Sequence, residues 1–384
     1  MYFDLPEDLQ MFQRAIRDFC EKELKPHSTE IDESASLNMD VIAKMPAIGL
    51  TGLQVSEAYG GVEMDTLGAS LAVEELGRVC GSTALSVSAH NGLCCGPIMR
   101  WGTDEQKQNY LPILTSGKHL GSLALTEPQA GSDLLNGAKT TARRDGDEWV
   151  INGHKAWITN PMYAPVIVVL CRTDQEAGSR GFSMILVEPD TDGVTLHPPE
   201  KKMGVKGSPT QMITFDNVRV PVSNLLGEEG RGFHQTMQTL DAGRISIGAL
   251  SVGLAQGAFE EMVKYAGERQ AFGAPIANLQ LIQEKIANAA MEIEAARILI
   301  YKAAWIKDQG RDFGKIAAIA KLKATEVAEK VCFEAIQVHG SYGYSREYPV
   351  ERMYRDQRLM TIGEGTSEIQ RVVIARHVMK EFGS

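Results

Sequence analysis

Six apolar residues, Ile282, Ile286, Ala289, Ile293, Ala296 and Ile300, recur at alternating spacings of four and three. On a helix of 3.6 residues per turn, that spacing draws one continuous apolar stripe. A stripe about five turns long cannot be left in water, so it demands other helices as partners. Ile316, Ile319, Val327 and Val331 suggest a second such seam before Gly340, and helical texture resumes just beyond Gly230. Three or four helices of this length predict an antiparallel bundle over residues 228–384.

The middle of the chain reads differently. Asp145-Gly146 separates Lys139–Arg144 from Glu148–Asn152 and signals a tight hairpin. Val166–Cys171 and Phe182–Val187 are short β-branched runs, Gln211–Val220 alternates more loosely, and Pro189, Pro198, Pro199 and Pro221 punctuate them. No helix of crossover length lies between these runs, so residues 121–227 are expected to form an antiparallel, barrel-like β domain. Residues 1–120 return to helical spacing. Leu5, Leu9, Phe12, Ile16 and Phe19 form an amphipathic stripe opened by Asp4 or Pro6, and Leu67–Leu76 and Ser82–Met99 keep helical lengths. The expected fold class is therefore α+β and mainly α: a helical domain, a β domain and a helical bundle.

Composition narrows the function. A net charge of −10 with no long basic stripe argues against a nucleic-acid partner. The six cysteines contain no C-x-x-C pair and the eight histidines are scattered, so reduced thiols and no metal site are expected. Met1–Glu7 lacks a basic-then-apolar leader pattern and no apolar run reaches membrane-spanning length, so a soluble protein with no membrane association is expected.

Several short segments have the makings of a site. In Thr361–Arg371 a carboxylate, Glu364, stands between two glycines ahead of Thr366 and Ser367, whose hydroxyls can cap a helix. Taken alone this is an ordinary helix start. Leu123–Asp133 is a loop of Pro, Gly and small polar residues that exposes N–H and hydroxyl groups, or an ordinary turn. Trp157-Ile158-Thr159-Asn160 offers a flat apolar face with a hydroxyl two residues on, although a tryptophan at a strand end is more often core. Arg269–Ile276 places an arginine and an aromatic before a Gly turn, which a helix C-cap alone would explain. Gln337–Tyr344 has the glycines of a phosphate loop but no strand before it, so a dinucleotide fold is not expected.

Taken together, and in this domain order, the segments resemble the acyl-CoA dehydrogenases over nearly the whole chain. The resemblance implies FAD as cofactor and an acyl-CoA thioester as substrate. Glu364 would be the catalytic base. Leu123, Leu125 and Thr126 would meet the isoalloxazine edge, Trp157 would lie against the flavin and Thr159 would bond near its N5. Arg269, with Phe272 and Gln280, would neutralise the pyrophosphate of a neighbouring subunit's FAD, and Gln337 and Gly340 would meet its adenosine part; Thr366 and Glu368 complete the cofactor contacts. Ser132, Ser208, Asp241, Arg244 and Gly365 would meet the substrate, and Ser132 the cofactor as well. Sharing of the cofactor implies a homotetramer built as a dimer of dimers.

In the implied reaction Glu364 takes the α-proton while a β-hydride passes to the flavin, and an electron-transfer flavoprotein removes the electrons. Such a base needs a pKa lifted toward neutrality by desolvation. Some branches of the family carry their base directly before the arginine that is here Arg244; position 243 is glycine, which leaves Glu364. Gly363 stands where several straight-chain members have tyrosine, and this widening suggests short, branched or cyclic acyl groups. His339 reads as packing, and His90 and Asn91 as helix surface or the far end of the pocket. An acyl-CoA oxidase or nitroalkane oxidase on the same scaffold, or a scaffold without chemistry, are the competing readings, and the chain length favours the dehydrogenase. The setting would be a bacterial cytoplasm or, after removal of a transit peptide, the mitochondrial matrix.

Overall fold

The computed structural model describes residues 4–383; Met1–Phe3, the first part of the stretch read above for a leader, lie outside them. Pro6, with φ −51°, opens the first helix, α1 (Glu7–Phe19), and its carbonyl accepts the N–H of Gln10 at 3.0 Å. Short helices α2 (Ser28–Ser34) and α3 (Met39–Lys44) lead to α4 (Thr66–Val79), which is buried along almost its whole length. The run expected as one helix from Ser82 to Met99 is divided. After α5 (Gly81–Ala89) a π-helical turn over His90–Cys95 intervenes before α6 (Gly96–Trp101). Helix α7 (Asp104–Thr115) closes this layer, its start fixed by a capping box between Thr103 and Gln106.

Strand β1 (Ser122–Ala124) and the single-turn helix α8 (Leu134–Gly137) precede β2 (Thr141–Asp145) and β3 (Glu148–Thr159), the expected hairpin. Gly146, at φ +62°, turns it. Then come β4 (Ile167–Arg172), β5 (Phe182–Val187), β6 (Val194–Leu196) and β7 (Thr210–Pro221). The sheet is mostly antiparallel, but β1 pairs with β4 in parallel and β2 touches β4 in parallel at Thr141 and Arg172. This corrects the expectation that strands without a crossover helix must all be antiparallel. The connection from β1 to β4 runs through the β2–β3 hairpin, which is long enough to bring the chain back in the same direction.

The spine of the molecule is α9 (Gly232–Glu268), a 37-residue helix that packs against α4 on one side and the bundle on the other. A two-stranded hairpin, β8 (Gln270–Ala271) and β9 (Ala274–Pro275), leads into α10 (Gln280–Asp308) and α11 (Gly314–His339). The stripe on α10 is real: Ala289, Ile293, Ala296 and Ile300 are buried, with Ile282 and Ile286 packed at its edge. On α11 the seam is as expected at Val327 and Val331, which are buried, and differs before them. Ile316 and Ile319 are only half-buried, and the contact surface is made of small residues, Ala317, Ala320, Ala324, Ala328 and Ala335, which let α11 lie close against α9. Helices α12 (Val350–Gln357) and α13 (Ser367–Phe382) complete the chain. Two contacts tie α12 to the rest: the half-buried Arg355 pairs with Asp32 at 2.7 Å, and the Val205 N–H reaches the buried Asp356 at 2.5 Å. Among the described residues no helix is long and apolar enough to cross a membrane.

Candidate active site

Between α12 and α13 the chain makes a tight 3₁₀ turn, Arg358–Thr361, and then runs through four residues without regular structure before Thr366 caps α13 by accepting the Ile369 N–H at 3.3 Å. In that gap Glu364 has φ +51° and Gly365 φ +92°. Glycine adopts such a conformation freely, whereas a glutamate held there costs about 1–3 kcal/mol and needs its surroundings to hold it. Two side chains do so. The Lys321 ammonium donates to the Gly365 carbonyl at 2.8 Å, and the Gln370 amide donates to the same oxygen at 2.9 Å and to the Glu364 carbonyl at 3.3 Å.

The turn aims the Glu364 carboxylate at α9. A Cβ built on Gly243 would lie 1.9 Å from Glu364 Oε2, so the carboxylate occupies the space that the missing side chain vacates. Oε2 is buried and finds no hydrogen-bond partner among the described residues. Burial pushes the Glu364 carboxyl up to about 7, against the downward pull of the Lys321 and Arg244 charges. Arg244 is itself buried and pairs with Asp241 one turn earlier on α9. Burial in turn raises the Asp241 carboxyl above its ordinary value, and pushes the Lys321 ammonium down to about 8. A carboxylate with a pKa near 7 in a dry site can take a proton from carbon and return it.

A second group forms where the Leu123–Asp133 loop meets β3. The Lys155 ammonium, fully buried, donates to the Leu125 carbonyl at 3.0 Å and to Glu127 at 2.9 Å, and the Ala156 N–H donates to the Thr126 carbonyl at 2.8 Å. Glu127 also accepts from the Lys139 N–H at 2.6 Å and the Thr140 N–H at 2.9 Å. The loop is thereby stitched to the strand that carries Trp157 and Thr159, and the Thr159 carbonyl accepts from Ser122 Oγ at 2.7 Å. A β-bulge between Lys155 and Ile158 puts Trp157 at φ +59° and leaves its ring 61% exposed. Trp157 is therefore not core. Leu123 and Leu125 are buried, so backbone groups would make their contacts, while Ser132 is exposed on the loop.

A third group stands apart. Arg269 ends α9, but the Gly turn after it belongs to the β8–β9 hairpin, with Phe272 at φ +53° and Gly273 at φ +81°, and not to a helix C-cap alone. Phe272 is 95% exposed at the tip. The Arg269 guanidinium lies 5.9 Å from the Tyr342 ring, which joins this hairpin to Gln337 and Gly340 at the end of α11. Gln280, at the start of α10, Gln337 and Gly340 are all exposed, as is Glu368 in the first turn of α13. Of the eight non-glycine residues with positive φ among the described residues, Trp157, Phe272 and Glu364 are three. Strain of this kind gathers at functional sites.

Two expectations fail. Ser208 is fully buried and its hydroxyl accepts from Ser86 at 2.8 Å, because loop 203–208 is pinned against α12 and α5; it presents nothing to a substrate. His90 and Asn91 are neither helix surface nor the end of a pocket. His90 links the Thr51 carbonyl and the Gly121 N–H, each at 2.8 Å, and Asn91 accepts from the Leu53 N–H at 2.9 Å, so both are buried ties between layers. His339 packs as expected, stacked on Tyr265 at 4.2 Å. Lys321, Gln370 and the Lys155–Glu127 pair were not singled out from sequence.

Models of the acyl-CoA dehydrogenase N-terminal, middle and C-terminal domains match residues 6–118, 122–218 and 230–379. The chain belongs to the acyl-CoA dehydrogenase family. Among its relatives are YngJ of Bacillus subtilis (strain 168), named a probable acyl-CoA dehydrogenase, at 50% identity over 99% of this chain and 100% of that protein. The mitochondrial short-chain specific acyl-CoA dehydrogenase of Homo sapiens is 45% identical, over 99% and 92% respectively. Butyryl-CoA dehydrogenase from Megasphaera elsdenii has the same fold at TM-score 0.95 and 41% identity, covering 99% of this chain and 100% of that one. A chain solved with the electron transferring flavoprotein of Acidaminococcus fermentans gives TM-score 0.96 at 41% identity, with the same coverage.

Acyl-CoA dehydrogenases are FAD oxidoreductases. The residues present in this chain fit that group. An exposed indole beside a strand-end hydroxyl suits a flat ring system, and an exposed arginine at a hairpin suits a pyrophosphate. A Cβ on Gly131 or Gly340 would meet nothing within 4 Å, so backbone at both loops is open to a ligand.

Proposed function

We propose that this chain dehydrogenates an acyl-CoA thioester between Cα and Cβ, with Glu364 as the base. The observation that carries this reading is the Glu364 carboxylate: buried, unpartnered at Oε2, filling the space beside Gly243, and held near a pKa of 7. The α C–H bond breaks with its proton going to Glu364, and its electron pair becomes the second bond between Cα and Cβ. FAD, when bound, supplies the acceptor for the hydride that leaves Cβ. The Glu364 N–H is the chain's own donor for the thioester oxygen as negative charge develops there. Leu123, Leu125, Thr126, Trp157, Thr159, Thr366 and Glu368 would hold the cofactor from one subunit, and Arg269, Phe272, Gln280, Gln337 and Gly340 from another. Asp241, Arg244, Gly365 and Ser132 remain the proposed substrate contacts.

A homotetramer built as a dimer of dimers accompanies this reading. Its support in the chain is Phe272, a ring left in water at a hairpin tip until a second copy covers it. An electron-transfer flavoprotein is the proposed acceptor, in keeping with the Acidaminococcus fermentans neighbour. The three-domain division at 1–120, 121–227 and 228–384, and a bacterial cytoplasmic or mitochondrial setting, belong to the same reading.

The acyl group is proposed to be short, with room for branched or cyclic forms. The three atoms nearest a Cβ on Gly363 would all belong to Leu359, at 3.6–3.8 Å, ordinary contact distances, and no side chain at 363 narrows the neighbourhood of the base. The test is anaerobic titration of the yellow protein with a set of acyl-CoA thioesters. Glu364→Gln is expected to keep the colour and lose acyl-CoA-dependent bleaching; a variant that bleaches at near-native rate overturns the reading. Strict preference for hexanoyl- or octanoyl-CoA over short, branched and cyclic thioesters overturns the assignment of the acyl group alone.

A further inference from the structure

Lys321 is the one charged residue on the buried face of α11 between Ala317 and Ala328, and it is fully buried. A lysine in such a place is destabilising unless its ammonium is satisfied. Its partner is the Gly365 carbonyl at 2.8 Å, directly after the base. That carbonyl belongs to the two-residue left-handed turn, Glu364 and Gly365, that has no regular secondary structure to hold it. Among the described residues the only other side chain on it is Gln370, whose amide also reaches the Glu364 carbonyl. Groups facing Glu364 are few: Lys321 from α11 and Arg244 from α9, the latter already paired with Asp241. Lys321 in turn faces Glu364, Arg244 and Glu368, the last exposed on α13.

We infer that Lys321 is the positioning residue for the base: its ammonium anchors the Gly365 carbonyl so that Glu364 points at the space beside Gly243, and its charge favours the ionised carboxylate that can accept a proton. The inference rests on the reading of Glu364 as base. Two physical contributions are combined in one side chain, and they separate by substitution. Lys321→Met removes both the donor and the charge while keeping the length of the stem. Lys321→Gln removes the charge and keeps a donor for the carbonyl.

The experiment follows the rate of anaerobic flavin bleaching by butyryl-CoA against pH in holoenzyme, with FAD content and melting temperature measured alongside. Infrared difference spectra in the same pH range follow the protonated carboxyl band that Glu364→Gln lacks, which reads the ionisation of Glu364 without turnover. Removing a nearby positive charge raises a carboxyl pKa by about one unit or more. Lys321→Met is therefore expected to move both the kinetic and the infrared midpoint upward by about that amount, and to slow bleaching at least about tenfold even at the top of the pH range. Lys321→Gln is expected to show the same upward midpoint with most of the high-pH rate restored. If Lys321→Met does not fold, the Lys321→Gln midpoint decides. Wild-type midpoints in the folded variants, by either readout, overturn the role of Lys321 while leaving Glu364 as base. Native bleaching by Glu364→Gln would instead overturn the base itself.

Discussion

Gly243→Ala tests the geometry of the site with a single methyl group. Gly243 lies in the interior of α9, where alanine is favoured over glycine by about 1 kcal/mol. Glu364 is what stands in the way: the three atoms nearest a Cβ at 243 are its Oε2 at 1.9 Å, Cδ at 2.9 Å and Oε1 at 3.4 Å. Reaching an ordinary 3.4 Å contact from 1.9 Å requires the carboxylate oxygen to retreat by about 1.5 Å. A misplacement of about 1 Å in a reacting group can cost on the order of 100-fold in rate. The variant is thus expected to fold, bind FAD and melt no lower than the wild type, yet bleach with butyryl-CoA about 100-fold more slowly. Combining it with Glu364→Asp, which shortens the side chain by one methylene, should return part of that loss. Stopped-flow bleaching and thermal denaturation measure the two halves. Bleaching at the wild-type rate by Gly243→Ala would show that the carboxylate does not stand against α9 in the working enzyme, and the placement of the base would fall.

Two further expectations follow from the buried charges. The Glu364 carboxyl is raised in the folded chain from 4.5 to about 7, so folding binds a proton between those values and stability falls as pH rises through that window. The difference of about 2.5 units corresponds to roughly 3 kcal/mol. FAD-free Glu364→Gln should therefore melt with the wild type near pH 4 and above it at pH 8, and a difference that does not grow with pH contradicts the burial. Lys155→Met leaves Glu127 buried without its cation, at a cost of about 3–5 kcal/mol. A lower melting temperature and faster loss of FAD are expected, since the Leu125–Glu127 loop loses its tie to β3; a variant that keeps both would show that the pair does not hold the loop.

Much of the architecture was legible in the residues because its causes are local. The 4-3-4 stripe on α10, the Gly146 hairpin and the Phe182–Val187 strand follow from side-chain period and turn chemistry, which act over a few neighbours. Glu364 could be singled out in the same way, from its glycines and the cap at Thr366. Lys321 left a legible mark that the larger apolar residues obscured: Ala317, Lys321, Ala324 and Ala328 run at 4-3-4 on α11, and a lysine in that row must be buried. The isoleucines that drew attention on this helix turned out to be its flanks, because close packing of α11 on α9 selects small side chains.

What residue order could not decide is who meets whom. The parallel pairing of β1 with β4 depends on the path of the whole hairpin between them, and the burial of Ser208, His90 and Asn91 on how separate layers close over their segments. The character of Glu364 is of the same kind. By itself the sequence determined that a carboxylate stands in a glycine turn before a helix. Only the packing of α9, α11 and the turn brought Gly243, Arg244 and Lys321 around it, and a carboxyl pKa is set by the charges and the water within a few ångströms, whatever their distance along the chain.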